Sequence, residues 1–304
     1  MAYFRGPYYT NTLMETIVLG SQPLHYFQYE AIAHGEVVLA ISEEAKSRIR
    51  ASRAFLEDKT ARSERPIYGV NTGFGSLCNV EISPEQLGQL QTNLVRSHAC
   101  GAGDYVQVEV IRLMLALKVE SFAKGVSGIR LGVVESLIEM YNSGAVPVIY
   151  QQGSLGASGD LAPLAHMSLP LLGEGSMWYE GEKQETKAVL AQLGDRGWTP
   201  CELASKEGLA LLNGTQFMSA HAVYALIQGQ KLDYLSDKIG ALSTVAHDGR
   251  IEAFTPGVHA TRPQWGQVKT AQRILAWLTP CPSMHKAKQH VQDPYSFRCM
   301  PQVH

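Results

Sequence analysis

Apolar residues recur at helical spacing along most of this chain. Ser42 is placed to cap a helix, with Glu43 and Glu44 at its positive end, and Ile41, Ala45, Ile49 and Leu56 follow at roughly helical intervals until Pro66. Ser83-Pro84-Glu85 marks a second start, with proline in the first turn. Leu87, Leu90 and Leu94 then form one face, which His98 extends, and Gly101 and Gly103 stop it. Val110, Ile111, Met114, Leu115 and Phe122 predict a helix within 106–124, closed by Gly125. Leu131, Val134, Leu137, Ile138 and Tyr141 predict another, closed by Gly144. Upstream of all these, Thr16 to Leu19 reads as a short strand and Tyr29 to Ala33 as the start of a helix.

The pattern changes in the middle of the chain. Val146 to Tyr150 is short, β-branched and extended, and a glycine-rich loop follows from Gly153 to Gly159. Asp160 is placed to cap a helix containing Leu161, Leu164 and Ala165. Residues 174–199 form a polar excursion with a small hairpin at Glu180-Gly181. Helical patterning resumes at Ser205 and runs to about residue 246, interrupted at Asn213-Gly214. That dipeptide ordinarily favours a hairpin. Its flanks are helical, so the expectation is a break between two helices, with Asn213 held there for a purpose. Gln267 to Leu278 is read as the last helix.

Composition narrows the function classes. The 304 residues carry a formal net charge of -2, with 45% hydrophobic and 18% charged residues, which fits a globular protein with a substantial core. A balance so near zero argues against broad nucleic-acid binding. Glu43-Glu44 and Lys286 to Lys288 read as solvated faces. The five cysteines are scattered, odd in number and without CxxC spacing, so neither a disulfide framework nor a zinc site is expected. No apolar stretch reaches the ~18 residues of a membrane span, and no signal peptide is evident. The expected location is the cytoplasm. The last residues, Asp293-Pro-Tyr-Ser-Phe-Arg-Cys-Met-Pro-Gln-Val-His304, read like the inside of a protein, which suggests a chain truncated at its C-terminus.

The candidate chemistry lies in Gly153-Ser-Leu-Gly-Ala-Ser-Gly-Asp-Leu-Ala-Pro-Leu-Ala-His166. By composition alone this is a flexible turn leading into a capped helix. The same residues permit a less ordinary outcome. Glycine has no Cβ and tolerates strained dihedrals, so a tight turn can bring the Gly159 nitrogen onto the Ala157 carbonyl carbon. Loss of one water closes a five-membered ring, and loss of a second from Ser158 leaves an exocyclic methylene. The methylidene-imidazolone so formed is an electrophile, a role no ordinary side chain fills.

Gly156-Ala-Ser-Gly-Asp-Leu-Ala-Pro-Leu-Ala-His166 resembles the electrophile-forming signature of the aromatic amino acid ammonia-lyases and aminomutases. Three further segments resemble that family in the same order. They are Tyr68-Gly-Val-Asn-Thr-Gly-Phe-Gly75, Glu207-Gly-Leu-Ala-Leu-Leu-Asn-Gly-Thr-Gln216 and Gln292-Asp-Pro-Tyr-Ser-Phe-Arg-Cys299. The first lacks the GxGxxG and GxxxxGK spacings of nucleotide loops.

The resemblance implies a mainly α, fumarase/aspartase-like helical bundle. A mixed α/β domain over 1–203 would carry the electrophile, and 204–304 would begin the bundle. It implies that Ala157, Ser158 and Gly159 cyclise without any external cofactor or metal. Tyr68, otherwise a packed loop aromatic, becomes the base that removes a β-proton. Phenols ordinarily ionise near pH ~10, so that role needs surroundings that stabilise phenolate. His98, on its own a hydrogen-bonded core histidine, becomes with Ser97 the pair that selects the substrate ring; an imidazole can exchange a hydrogen bond with it, and an apolar pair cannot. Asn213 binds the electrophile's oxygen or the substrate amine. Arg298 forks onto the substrate carboxylate. Tyr295 and Gln292 neighbour the electrophile, often in another subunit's site. The implied reaction is elimination of ammonia from L-histidine to trans-urocanate, in a homotetramer. The alternatives are a tyrosine or phenylalanine lyase, an aminomutase, or a non-catalytic fragment or oligomer partner. His166 and His221 are expected to be structural.

Overall fold

The computed structural model describes residues 14–63, 65–75, 78–154 and 156–304. Leu155 of the glycine-rich run and most of the aromatic-rich stretch before Glu15 lie outside them. The architecture is predominantly helical, with short sheets in the first part of the chain.

Strand β1 (Glu15–Leu19) pairs in parallel with β2 (Val37–Ile41), joined by α1 (Tyr26–His34). Helix α2 (Glu43–Arg62) opens as the sequence indicates: the Ser42 hydroxyl accepts from the Ala45 N–H at 3.1 Å, with two glutamates in the first turn. After a turn of 3-10 helix at Pro84–Gln86 comes α3 (Leu87–His98). Its buried residues are Gln91 and Val95, while Leu87, Leu90 and Leu94 are half-buried at the margin. Helix α3 therefore sits one step round from the face its leucines predict, because Gln91 is drawn inward by the backbone of a neighbouring helix, described below.

Strand β3 (Ala102–Tyr105) leads into α4 (Val108–Ala123), which is buried on nearly every side and packs on α1, α2 and the next helix, α5 (Leu131–Asn142). The extended segment after α5 divides into β4 (Val146–Pro147) and β5 (Tyr150–Gln152). β5 pairs with β3, whereas β4 joins a three-stranded antiparallel sheet. Helix α6 (Leu161–Ser168) follows the glycine-rich loop. The predicted hairpin is β6 (Ser176–Tyr179) and β7 (Glu182–Glu185), turning through Glu180 and Gly181, both at positive φ. Helices α7 (Thr186–Leu193) and α8 (Glu207–Leu212) precede α9 (Gln216–Ala246).

The chain divides into two compact units, one through Tyr224 and one from Ala225 to His304. The first is built on a continuous apolar core that runs from Ile17 through α4 and α5 to Ala220. The second contains most of α9, then α10 (Pro256–Ala260), α11 (Trp265–Leu278), α12 (Tyr295–Arg298) and α13 (Met300–Val303). Its core gathers Ala241, Phe254, Ile274, Leu278, Met284 and Met300. Arg273 binds Asp233 and buried Asp237, each at 2.7 Å.

Two sequence expectations are corrected in this second unit. Gln267–Leu278 is not the last helix, because Pro294 and Pro301 lie where α12 and α13 begin, and these single turns are too short to show a periodic pattern. Lys288 is not part of a solvated face. Its side chain is buried, and Nζ reaches Asp248 Oδ1 at 2.6 Å and the Ser283 carbonyl at 3.0 Å.

Candidate active site

Three loops in the first unit carry candidate side chains outward over a pinned backbone. The first is the turn from Tyr68 to Gly75. Asn71 Oδ1 accepts from the Ile67 N–H at 2.6 Å, Thr72 Oγ1 accepts from the Gly69 N–H at 3.2 Å, and the Ser205 hydroxyl donates to the Val70 carbonyl at 2.7 Å. Gly69 has φ +72°, and a Cβ there would lie 2.3 Å from Leu209 Cδ2. An L-residue at that φ is strained, and its Cβ would have to displace the end of the Leu209 side chain on α8. Tyr68 itself is exposed, edge-on to Phe74 with ring centroids 6.2 Å apart.

The second loop is the glycine-rich run. The Gly159 N–H donates to the Gly156 carbonyl at 3.3 Å, closing a tight turn with Ala157 and Ser158 exposed at its tip. Gly159 has φ +88° and pairs with Gly214 in an isolated bridge; a Cβ on it would lie 2.1 Å from the Gly214 oxygen. The next residue, Asp160, is buried, and here the sequence reading is corrected. Its carboxylate makes no cap bond to α6. It instead accepts from the Ser154 hydroxyl and, at 2.9 Å, from the Met218 N–H in the first turn of α9. The Asp160 N–H in turn donates to the Gly214 carbonyl at 2.8 Å. The capping chemistry is the expected one, applied to a different helix.

The third is the break between α8 and α9. Asn213 and Thr215 are exposed, and Gly214 has φ +150°. The Asn213 carbonyl accepts from Lys118 Nζ at 3.0 Å. The start of α8 is fixed by Glu207, whose buried carboxylate takes Arg130 Nε at 2.9 Å, Arg130 Nη2 at 2.6 Å and the N–H groups of Arg130 and Ala204. Burial opposes ionisation of Glu207, but the Arg130 hydrogen bond and the two N–H donors outweigh it and hold the carboxyl below its usual value.

Helix α3 packs on both α6 and α8. Gln91 Oε1 accepts from the Leu209 N–H at 3.2 Å, which explains the inward turn of that residue. At the end of α3, His98 Nδ1 lies 2.9 Å from the Leu94 carbonyl and 3.2 Å from the Ser97 hydroxyl. A carbonyl only accepts, so Nδ1 carries the proton, and in the neutral ring Nε2 is left as an acceptor. Just beyond, the Gly101 N–H donates to His166 Nε2 at 3.0 Å, and burial lowers the pKa of His166. A Cβ on Gly153 would lie 3.2 Å from Gly101 Cα, so the His98 segment and the glycine-rich loop meet closely.

Gln292, Tyr295 and Arg298 lie in the second unit. With its amide oriented to satisfy both groups, Gln292 accepts from Arg298 Nε and Nη2 at 3.1 Å each. Arg298 Nε also donates to the Asp293 carbonyl at 3.1 Å, and its guanidinium lies 4.2 Å from the centre of the exposed Tyr295 ring. Asp293 is itself buried between the Arg250 N–H and His290 Nε2, at 2.6 Å each.

Sequence reasoning missed Lys118, Glu207 and Gln91. Lys118 had a signal, a cation set between the apolar residues Leu113 to Leu117 and Val119 of α4. Glu207 opens one of the family-like segments but had no role assigned to it there, and Gln91 looks like an ordinary polar helix position. Among the described residues no cluster of three or more metal-ligating side chains occurs, and no helix is long and apolar enough to cross a membrane.

The sequence profile of the aromatic amino acid lyases matches residues 24–304. A histidine ammonia-lyase of Streptococcus gordonii is 46% identical over 275 residues, covering 90% of this chain and 53% of its own length. The chain thus spans about half the length of the curated relatives it matches. Among solved structures, histidine ammonia-lyase from Trypanosoma cruzi superposes with a TM-score of 0.82 at 37% identity, covering 95% of this chain and 53% of its own. The ergothioneine-degrading ergothionase of Treponema denticola gives 0.85 at 27%, covering 95% and 57%. Phenylalanine aminomutase of Pantoea agglomerans gives 0.82 at 30%, covering 95% and 58%. With its four motifs, its helical fold and this match over nearly all its length, the chain belongs to the aromatic amino acid lyase family.

Proposed function

We propose that the protein eliminates ammonia from L-histidine, giving trans-urocanate, as a cytoplasmic enzyme of histidine breakdown. The observation that carries this reading is the seating of Gly159 against Gly214, which joins the electrophile-forming turn to the Asn213 segment. The turn fits an internally formed methylidene-imidazolone. Residue 159 has space for no side chain, its backbone is already in a left-handed conformation, and Ala157 and Ser158 are exposed at the tip. Made from Ala157, Ser158 and Gly159 with loss of two waters, that group supplies an electron-poor carbon that activates the substrate amine as a leaving group.

The chain's other residues bind, orient and move protons. Tyr68 takes the β-proton from an exposed position on a braced loop. Arg298 forks onto the substrate carboxylate, with Gln292 holding the guanidinium in plane. Asn213 meets charge developing near the amine through a side chain that projects from the helix break. His98 offers Nε2 to the N–H of the substrate imidazole, because the Leu94 carbonyl fixes the proton on Nδ1, and Ser97 stands beside it. Tyr295 completes the surroundings of the electrophile. The proposed assembly is a homotetramer whose sites draw residues from several copies. The substrate is an amino acid, and neither metal nor external cofactor enters this reading.

The test is urocanate formation by the full-length protein from histidine, with tyrosine and phenylalanine as controls. Histidine is turned over, and Ser158→Ala lowers kcat by roughly 10³-fold or more. Turnover of tyrosine or phenylalanine in place of histidine would reassign the substrate, and a fully active Ser158→Ala would refute the mechanism.

A further inference from the structure

Lys118 is the buried lysine of the first unit, 1% exposed in the middle of α4. A lysine placed so deeply ordinarily needs a carboxylate partner. Lys118 instead points its amine at the break between α8 and α9. Nζ donates to the Asn213 carbonyl at 3.0 Å, has the Gln216 side-chain oxygen at 3.5 Å, and lies 5.0 Å from the centre of the Phe122 ring. Burial pushes its pKa down to about 7. Keeping such a group in a core costs stability that an apolar side chain of the same length would not.

What that amine touches explains its position. Asn213 is the last residue before Gly214, and the Gly214 carbonyl receives the Asp160 N–H while its backbone pairs with Gly159. The Gln216 side chain folds back over Gly214, so that a Cβ there would lie 2.1 Å from Gln216 Oε1. Lys118 therefore reaches both ends of the three-residue break from below. Helical hydrogen bonds hold only the margins of the break, from the Asn213 N–H to the Leu209 carbonyl at 3.0 Å and from the Ser219 N–H to the Thr215 carbonyl at 2.8 Å. The outward direction of the Asn213 side chain and the seat of Gly159 both depend on the backbone between them.

We propose that Lys118 is a positioning residue for the electrophile-forming turn, holding the Asn213 carbonyl and the Gln216 side chain so that the helix break stays seated against Gly159. This rests on the proposed cyclisation of Ala157, Ser158 and Gly159. It adds a residue that touches neither the substrate nor the cyclising atoms and acts through the backbone between them.

The experiment uses the full-length protein with Lys118→Met, Lys118→Arg and Gln216→Leu, each read in two ways. Peptide mass gives the fraction of the Ser158 peptide that has lost two waters. Steady-state kinetics with histidine separates kcat from KM. The wild type shows the lost waters and turnover. Lys118→Met, similar in length and apolar, folds with an undiminished thermal midpoint. Its cyclised fraction drops and its kcat falls about 10- to 100-fold, the order of effect that small misplacements have, with KM changing only a few-fold. Lys118→Arg, which retains donors, recovers most of both. Gln216→Leu moves both readouts in the same direction by less. Wild-type cyclisation and kcat in folded Lys118→Met would overturn the inference and leave the proposed function intact. If Lys118→Met does not fold, unchanged cyclisation and kcat in Gln216→Leu would overturn it instead. A wild type with neither lost waters nor turnover would refute the proposed function, and the inference with it.

Discussion

At the scale of single residues, the first unit keeps its reactive candidates in solvent and its anchoring groups in the core. Tyr68, Ser158 and Asn213 are exposed, whereas Lys118, Asp160 and Glu207 are buried beneath the same loops. Lys118 makes stability depend on pH. Its folded pKa is about 7 against an ordinary 10.5, so between those values the unfolded chain holds a proton that the folded chain has released. Stability therefore rises with pH across that window, and below it the full cost of the buried ammonium is present. Urea midpoints measured from pH 7 to 10 increase for the wild type, and Lys118→Met flattens that increase. A wild type without any rise would place the amine outside the core. Asp160→Ala removes the acceptor for the Ser154 hydroxyl and the Met218 N–H, and lowers stability by about 2–3 kcal/mol in urea unfolding. The part played by Asp160 was half legible. Its place before an apolar helix announced a cap, but the helix it serves begins over fifty residues later, and no local pattern records that.

At the scale of elements, close approach decides which glycines are replaceable. Gly159→Ala sets a Cβ 2.1 Å from the backbone oxygen of Gly214 and requires φ +88° of an L-residue, so the turn cannot close and the Ser158 peptide keeps its full mass. Gly214→Ala also strains an L-residue, at φ +150°, but its Cβ meets only the end of the Gln216 side chain, which can move, so the same mass measurement gives a milder loss. Equal effects at the two positions would contradict the described packing. Most helices were readable because their apolar periodicity is uninterrupted: α2 with its Ser42 cap, α4 and α5 with their closing glycines, and the break at Asn213. The inward rotation of α3 was not, because Gln91 is buried by a partner, the Leu209 N–H, that comes from distant sequence. The single turns α12 and α13 were missed because four residues carry no period.

At the scale of the molecule, α9 leaves Leu226, Leu232, Leu235, Ile239 and Leu242 exposed, a long apolar series for one helix. The proposed homotetramer covers it. Sedimentation of the full-length protein gives a tetramer, and Leu235→Glu with Leu242→Glu shifts it to smaller species with loss of turnover; an unchanged tetramer would put the interface elsewhere. The four motifs made the family legible from the sequence. What they left open was how loops far apart in sequence come to share one backbone framework, since that depends on the contacts of Gly69 with Leu209, Gly101 with Gly153, and Gly159 with Gly214. The account depends most on the chemistry of the last of these. The deciding measurement is the mass of the peptide containing Ala157, Ser158 and Gly159, taken from protein that is turning over histidine. The account requires that peptide to be lighter by two waters, and a peptide of unaltered mass in active protein would contradict it.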